Sequence, residues 1–368
     1  MQTLMTRAWV EIDLGALLRN GARVAEHTRA RLLPMIKADA YGLGAVRVAR
    51  TLEALDPWGF GVATVGEGAE LRRAGISRPI VVFTPLLDED FDAARLAGLT
   101  PALGGRAEIV RWGATGQPWQ LAIDTGMNRA GVPWEAVPEL ADVLRALPPE
   151  GVFTHFHSAQ LADRSRERQA ERFAQALAQL PVRPALIHAE NSPALARRAT
   201  APHHTDWTLA RPGIFLYGVG SGSDAEIQPE PVVALRARVV EVRSIPAGET
   251  VSYDATYRAD QPRRIATLAV GYADGYRRAL GNRAAVLLHG RRAPVVGHVT
   301  MDMTMADVTG LSCARGDVAT LIGSDGAQRL DVADVAAAGD LSSYELLTGL
   351  RGRLTRRYVG EEERSREA

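Results

Sequence analysis

The chain has 368 residues, 46% of them hydrophobic and 23% charged, with 43 basic residues against 43 acidic and no net charge. That balance excludes whole-chain disorder and argues against recognition of nucleic acid or an acidic membrane surface by bulk charge. A single cysteine, Cys313, excludes an internal disulfide and a cysteine-rich metal site.

Short apolar runs recur through the first two thirds: Leu32–Ile36, Phe60–Val65, Pro79–Phe83, Leu99–Leu103, Gln120–Ile123, Val152–Phe156, Ala185–Ile187 and Gly213–Tyr217. Segments of helical character, such as Glu67–Ala74 and Ser165–Leu180, lie between most of them. Strand-like runs alternating with helices predict parallel βα repeats, and eight of them suggest a closed (β/α)8 barrel, with an open doubly wound sheet as the alternative. Lys37, Asp124, His155, Asn191, Ser192 and Arg211 fall where these runs end, the place where such barrels build their sites.

After Tyr217 the texture changes. Gly218–Ser223 reads as a loop and Gln228–Pro231 as a linker. Strands are predicted over Leu235–Val242, Ile265–Val270, Ala285–Leu288, Pro294–Val299, Met303–Val308 and Val318–Ile322, with a hairpin turn at His289–Arg292. Helices are expected after Asp331 and from Ser342 or Ser343. The expectation is an α/β chain: a (β/α)8 barrel over residues 1–231, then a mainly-β C-terminal domain over 232–368. No run approaches the ~18 apolar residues of a membrane helix. The start reaches Glu11 and Asp13 before any stretch suited to a signal peptide, so a cytoplasmic chain is expected.

Among the 43 basic residues there is one lysine, Lys37. Arginine stays protonated and cannot serve as an amine nucleophile, whereas a desolvated lysine can lose its proton and form a Schiff base. No His, Asp or Glu cluster has metal-ligand spacing, so no metal is expected.

The segment Lys37-Ala38-Asp39-Ala40-Tyr41-Gly42-Leu43-Gly44 resembles the K-A-x-A-Y-G-x-G segment of the alanine racemases, pyridoxal-phosphate enzymes of barrel-plus-β-domain type. Asp124-Thr125-Gly126-Met127-Asn128-Arg129, Thr154-His155-Phe156, His188-Ala189-Glu190-Asn191-Ser192 and Arg211-Pro212-Gly213-Ile214 are similar to further family segments in the same order. So are Ser252-Tyr253-Asp254-Ala255-Thr256-Tyr257, Gly271-Tyr272-Ala273-Asp274-Gly275, Met301-Asp302 and Tyr344-Glu345.

The resemblance implies that Lys37 carries pyridoxal 5′-phosphate and that Tyr253 is the second base. It places Tyr41, His155, Ser192, Arg211, Tyr344 and the N–H groups of Gly213 and Ile214 around the cofactor: His155 beside the ring, Arg211 at its nitrogen, Ser192 and Tyr344 on phosphate. It places Arg129, Met301, Asp302 and Tyr272 around the substrate. It also implies a homodimer with shared sites and a supply of D-alanine for peptidoglycan.

The residue types suit that chemistry. Racemisation removes a Cα proton from one face and returns one to the other, so it needs an acid/base group on each side. A guanidinium at the ring nitrogen cannot accept a proton, which favours racemisation over decarboxylation. Three positions depart from the family pattern: Ala122 where many members carry a carbamylated lysine, Glu190 for an alanine and Thr300 for a frequent cysteine. The rival readings are a racemase of another amino acid, such as serine, and a non-catalytic cofactor-binding barrel.

Overall fold

The computed structural model describes residues 6–197, 207–350 and 352–360; His203 and His204, which match no role in sequence, lie outside them. Among the described residues, eight short parallel strands form the barrel: Arg31–Leu32, Phe60–Val62, Ile80–Val82, Thr100–Leu103, Gln120–Asp124, Gly151–Phe153, Leu186–His188 and Leu209–Ala210. The middle six pair in chain order, and Leu209–Ala210 pairs with Arg31–Leu32. Two seams complete the ring. Met35 bridges Gly61, beside Trp58 N–H donating to Leu32 O at 2.8 Å, and Thr208 N–H donates to Ile187 O at 2.8 Å. The open-sheet alternative is excluded.

Seven of the eight predicted runs overlap these strands. The eighth, Gly213–Tyr217, is a series of turns, and the strand lies just upstream at Leu209–Ala210. The run is apolar because it is buried, not because it is a strand. Pro212 has no N–H for a ladder, and Gly213 and Phe215 donate theirs to Ser192 Oγ at 2.8 and 3.2 Å.

Val233–Ile245 is the spine of the second, mainly antiparallel sheet. Its first half pairs with Ala8–Asp13 and Val318–Asp325, and its second half with Arg263–Leu268, where a bulge falls between Val239 and Glu241. Ala8–Asp13 also pairs in parallel with Thr355–Val359. The first strand of the chain therefore sits in the second sheet, which corrects the expectation that all of residues 1–231 build the barrel. Its alternation is the physical reason: Val10 and Ile12 are buried while Glu11 and Asp13 are half-exposed, the pattern of a one-faced sheet. The hairpin falls as predicted, with His289 and Gly290 at φ 50° and 72° joining Ala285–Leu288 to Arg291–Pro294.

The linker is not loose. Asn20 Oδ1 accepts from Glu230 N–H at 2.7 Å and its Nδ2 donates to Glu230 O at 2.9 Å, which ties the crossover to helix Leu14–Thr28. One apolar core runs from the barrel into the sheet, taking in Ile12, Tyr41, Leu235, Leu268 and Leu347. No helix among the described residues is long and apolar enough to cross a membrane.

Candidate active site

A cavity of about 380 Å³ opens at the C-terminal ends of the barrel strands, and Lys37, Tyr41, Arg129, His155, Ser192, Arg211, Gly213, Ile214 and Tyr344 all line it. Nine of the residues singled out in sequence thus come together, from five separate strand ends and one helix of the second domain.

Lys37 opens a turn of left-handed helix. Ala38, Asp39, Ala40 and Tyr41 have φ of 52°, 56°, 52° and 57°, a conformation that costs L-residues about 1–2 kcal/mol each. Four in succession persist only because the surroundings hold them. Glu67 Oε1 accepts from Ala38 N–H at 2.7 Å, Asp39 Oδ1 accepts from Ala45 N–H at 2.7 Å, and Arg356 donates to Asp39 Oδ2 at 2.5 Å. The turn aims Lys37 into the cavity wall rather than along the strand. Burial lowers its pKa below that of an ordinary lysine; Arg129 and Arg211 push the same way, and the Glu67 carboxylate opposes them.

Another part of the cavity is lined by hydrogen-bonding groups. Ser192 Oγ gathers the N–H groups of Gly213 and Phe215, and the Ile214 N–H has no acceptor among the described residues. A Cβ on Gly213 would lie 2.5 Å from the Tyr41 hydroxyl, so only glycine fits there. Burial raises the pKa of Tyr41, reinforced by Tyr344, and burial raises Tyr344 as well, so both phenols remain neutral donors. Hydroxyls and backbone N–H groups converging on a glycine-lined cradle form a donor set suited to a phosphate.

Arg211 is buried, 3% exposed. It donates Nη1–H to His188 Nδ1 at 2.5 Å and Nη2–H to Thr154 O at 2.7 Å and Ala189 O at 3.0 Å. Burial pushes its pKa down to about 9, opposed by the buried Glu190 carboxylate, so it remains a cation at neutral pH. His155 is shifted in the same direction but loses its charge. Burial, then Arg211, Arg129 and Lys37, lower it to about 3, leaving a neutral imidazole. With three cations facing it, the cavity suits an anionic occupant.

Tyr253, Tyr272, Met301 and Asp302 are not part of this cavity. Tyr253 is 69% exposed and Met301 53%. Tyr253 lines a separate groove with Val251, Thr300 and Met303, on a turn strained at Ser252, Asp254 and Ala255, with φ of 69°, 60° and 48°. Asp302 accepts from Arg353 Nη1 at 2.7 Å, and Arg353 also pairs with Asp274 at 3.2 Å. Within one chain the structure does not bring the second set to Lys37.

Sequence reading missed Glu67, Gln120 and any role for His188. Glu67 was visible as the last member of a Thr64-x-x-Glu67 capping box; that it also reaches Ala38 was not. Ala122, the departure noted in sequence, is buried against Ala102, Phe153 and Phe83, and no side chain among the described residues hydrogen-bonds Arg129 in its place.

Comparison with known proteins agrees with this geometry. Residues 12–221 match the family described as alanine racemase, N-terminal domain, and residues 232–358 match alanine racemase, C-terminal domain. Alanine racemase of Halothermothrix orenii is 36% identical over 97% of this chain and 98% of its own. Alanine racemase from D-cycloserine-producing Streptomyces lavendulae superposes with a TM-score of 0.90 at 30% identity, over 98% of this chain and 99% of that one. The Bartonella henselae alanine racemase, with covalently bound pyridoxal phosphate, gives 0.88 at 28% identity over 96% and 100%. The chain belongs to the alanine racemase family.

Proposed function

We propose that the chain interconverts L-alanine and D-alanine, with pyridoxal 5′-phosphate held at Lys37 and Tyr253 of a second copy as the opposing base. One observation carries the reading: the only lysine of the sequence opens, with its pKa lowered, onto a cavity that also holds a phosphate-type donor cradle and a buried guanidinium. Bound pyridoxal phosphate supplies an electron-withdrawing ring conjugated to the substrate nitrogen, which acidifies the Cα proton.

The chain's residues do the rest. Ser192, Tyr41, Tyr344 and the Ile214 N–H would hold the phosphate end, joined by the Gly213 N–H that otherwise donates to Ser192 Oγ. His155, neutral and half-buried, would lie beside a bound ring and help exclude water. Arg211 presents a charge that cannot accept a proton, so it would leave the nitrogen of a bound ring unprotonated, which would favour return of a proton to Cα over other fates. The Lys37 amine takes and returns the proton on one face of Cα, and the Tyr253 phenol does so on the other. Arg129, Asp302 and Met301 orient the substrate carboxylate, and Tyr272 lines the way in. In a bacterial cell this activity would supply D-alanine to peptidoglycan from the cytoplasm.

The test is product formation with purified, cofactor-loaded protein. L-alanine should yield D-alanine faster than L-serine yields D-serine. Borohydride should fix the cofactor to the one peptide containing Lys37. Label elsewhere, or racemisation undiminished in Lys37→Ala, overturns the assignment; a preference for serine moves it to the other amino-acid racemases.

A further inference from the structure

His188 and Gln120 take no part in the reading above, yet both are fully buried and complete a line of side chains ending on Arg211. His188 Nδ1 lies 2.5 Å from Arg211 Nη1, and His188 Nε2 lies 2.9 Å from Gln120 Oε1. A guanidinium has donors only, so Nδ1 must present its lone pair. A neutral imidazole then carries its proton on Nε2, and that proton needs an acceptor in a dry interior. Gln120 Oε1 is the acceptor in reach. The opposite amide orientation would set a Gln120 N–H against the Nε2–H.

The surroundings leave the ring little freedom. Phe153 stacks on it, with centroids 5.1 Å apart and planes 19° apart, and Phe83 meets it edge-on at 6.4 Å. The ionisable groups facing this line are Arg211 itself, His155 at 3.4 Å from Arg211 Nη2, and Glu190, which acts on Arg211 electrostatically. Burial and then Arg211 keep His188 well below an ordinary histidine pKa, which agrees with a neutral ring.

We propose that Gln120 is a positioning residue: by accepting from His188 Nε2 it locks the tautomer that offers Nδ1 to Arg211, and so fixes the rotation of the guanidinium. With Nη2–H bonds to Thr154 O and Ala189 O and one Nη1–H bond to His188, the donors left for the cavity are Nε–H and the second Nη1–H. Without the lock, His188 can move its proton to Nδ1, the Nη1 bond is lost, and those donors lose their aim. The consequence for catalysis rests on the reading that Arg211 meets the cofactor ring, but the tautomer itself does not.

Nitrogen-15 spectra of histidine side chains in the purified protein report the tautomer, with His188 assigned by its loss in His188→Asn. The expected result across the neutral range is a protonated Nε2 and a bare Nδ1; a protonated Nδ1 or an imidazolium overturns the proposal. Two variants then separate locking from packing. Gln120→Met keeps volume and removes the acceptor, whereas Gln120→Glu keeps the acceptor and adds a buried charge. Packing alone ranks Met above Glu; locking ranks Glu above Met. Gln120→Met is expected to show Nδ1–H signal and a kcat about tenfold lower, with KM for alanine within about twofold. Wild-type tautomer and rate in Gln120→Met overturn the lock. A shifted tautomer with unchanged kcat supports the lock and instead overturns the placing of Arg211 at the ring.

Discussion

Lys37 and Arg211 place opposite demands on one cavity, because the first must give up its proton and the second must keep it. Burial disfavours the charged form of both, and the difference lies in their partners. Arg211 donates to three acceptors within 3.0 Å, whereas Lys37 faces Arg129 and Arg211 as like charges. Arg211→Glu should therefore slow racemisation and raise the keto acid formed per turnover, since a carboxylate there can stabilise a protonated ring nitrogen and so deepen the electron sink. Product ratios by chiral chromatography decide this, and an unchanged ratio would place Arg211 away from that nitrogen.

His155 makes a separate prediction at the same scale. Its pKa falls from 6.5 to about 3 on folding, so below the unfolded value only the unfolded chain gains the proton. Stability is then unaffected above about pH 6.5 and falls as pH drops from there towards 3. Urea midpoints measured at neutral and mildly acidic pH should show the decline, and His155→Asn should flatten it. The buried His188 adds a slope of the same sign, so flattening is partial. An identical slope in the variant would mean that His155 is not held neutral.

Among the elements, the left-handed turn after Lys37 is the one whose local cost is not met locally. Its clamp comes from a neighbouring helix terminus, where Glu67 accepts from Ala38 N–H and Ala63 N–H, both at 2.7 Å. Glu67→Ala leaves two partly buried donors unpaired and is expected to cost roughly 2–4 kcal/mol by urea unfolding, with a larger loss of racemisation than of fold. Ala38→Gly should be tolerated in stability to within about 1 kcal/mol, because glycine removes the left-handed penalty while loosening the unfolded chain. Ala38→Val should not be tolerated, since a β-branched residue at φ 52° adds its own clash. Equal stability of the glycine and valine variants would show that the turn relaxes and is not under strain.

At the scale of the molecule, the two sets of residues required by the proposed reaction lie apart. Lys37 is in the barrel cavity and Tyr253 is largely exposed on a turn of the second domain. Proton transfer on both faces of Cα needs both groups within reach, which a second copy laid head to tail would provide. Lys37→Ala and Tyr253→Phe should each cripple the enzyme. Mixed dimers of the two would carry one doubly damaged site and one intact site, restoring up to about half the activity per dimer. Co-refolding the variants and assaying D-alanine tests this, and silence from mixed dimers shown to form would place both bases in one chain.

The sequence by itself determined the βα rhythm, the change to a β-rich second half, the His289–Gly290 turn and the lone lysine at a strand end, because periodicity, turn chemistry and residue type are local properties. It also carried the family segments, from Lys37 to Tyr344. Tertiary structure decided what depends on partners distant along the chain. The buried run Gly213–Tyr217 reads as a strand until its N–H groups are seen to serve Ser192. Ala8–Asp13 reads as part of the barrel until it pairs with Val233–Ile245. The left-handed turn at 38–41 and the Gln120–His188–Arg211 line have no local signal, since the first opposes the intrinsic preference of its residues and the second joins positions 68 and 23 residues apart. Only packing places such groups together, and packing is set by the whole chain at once.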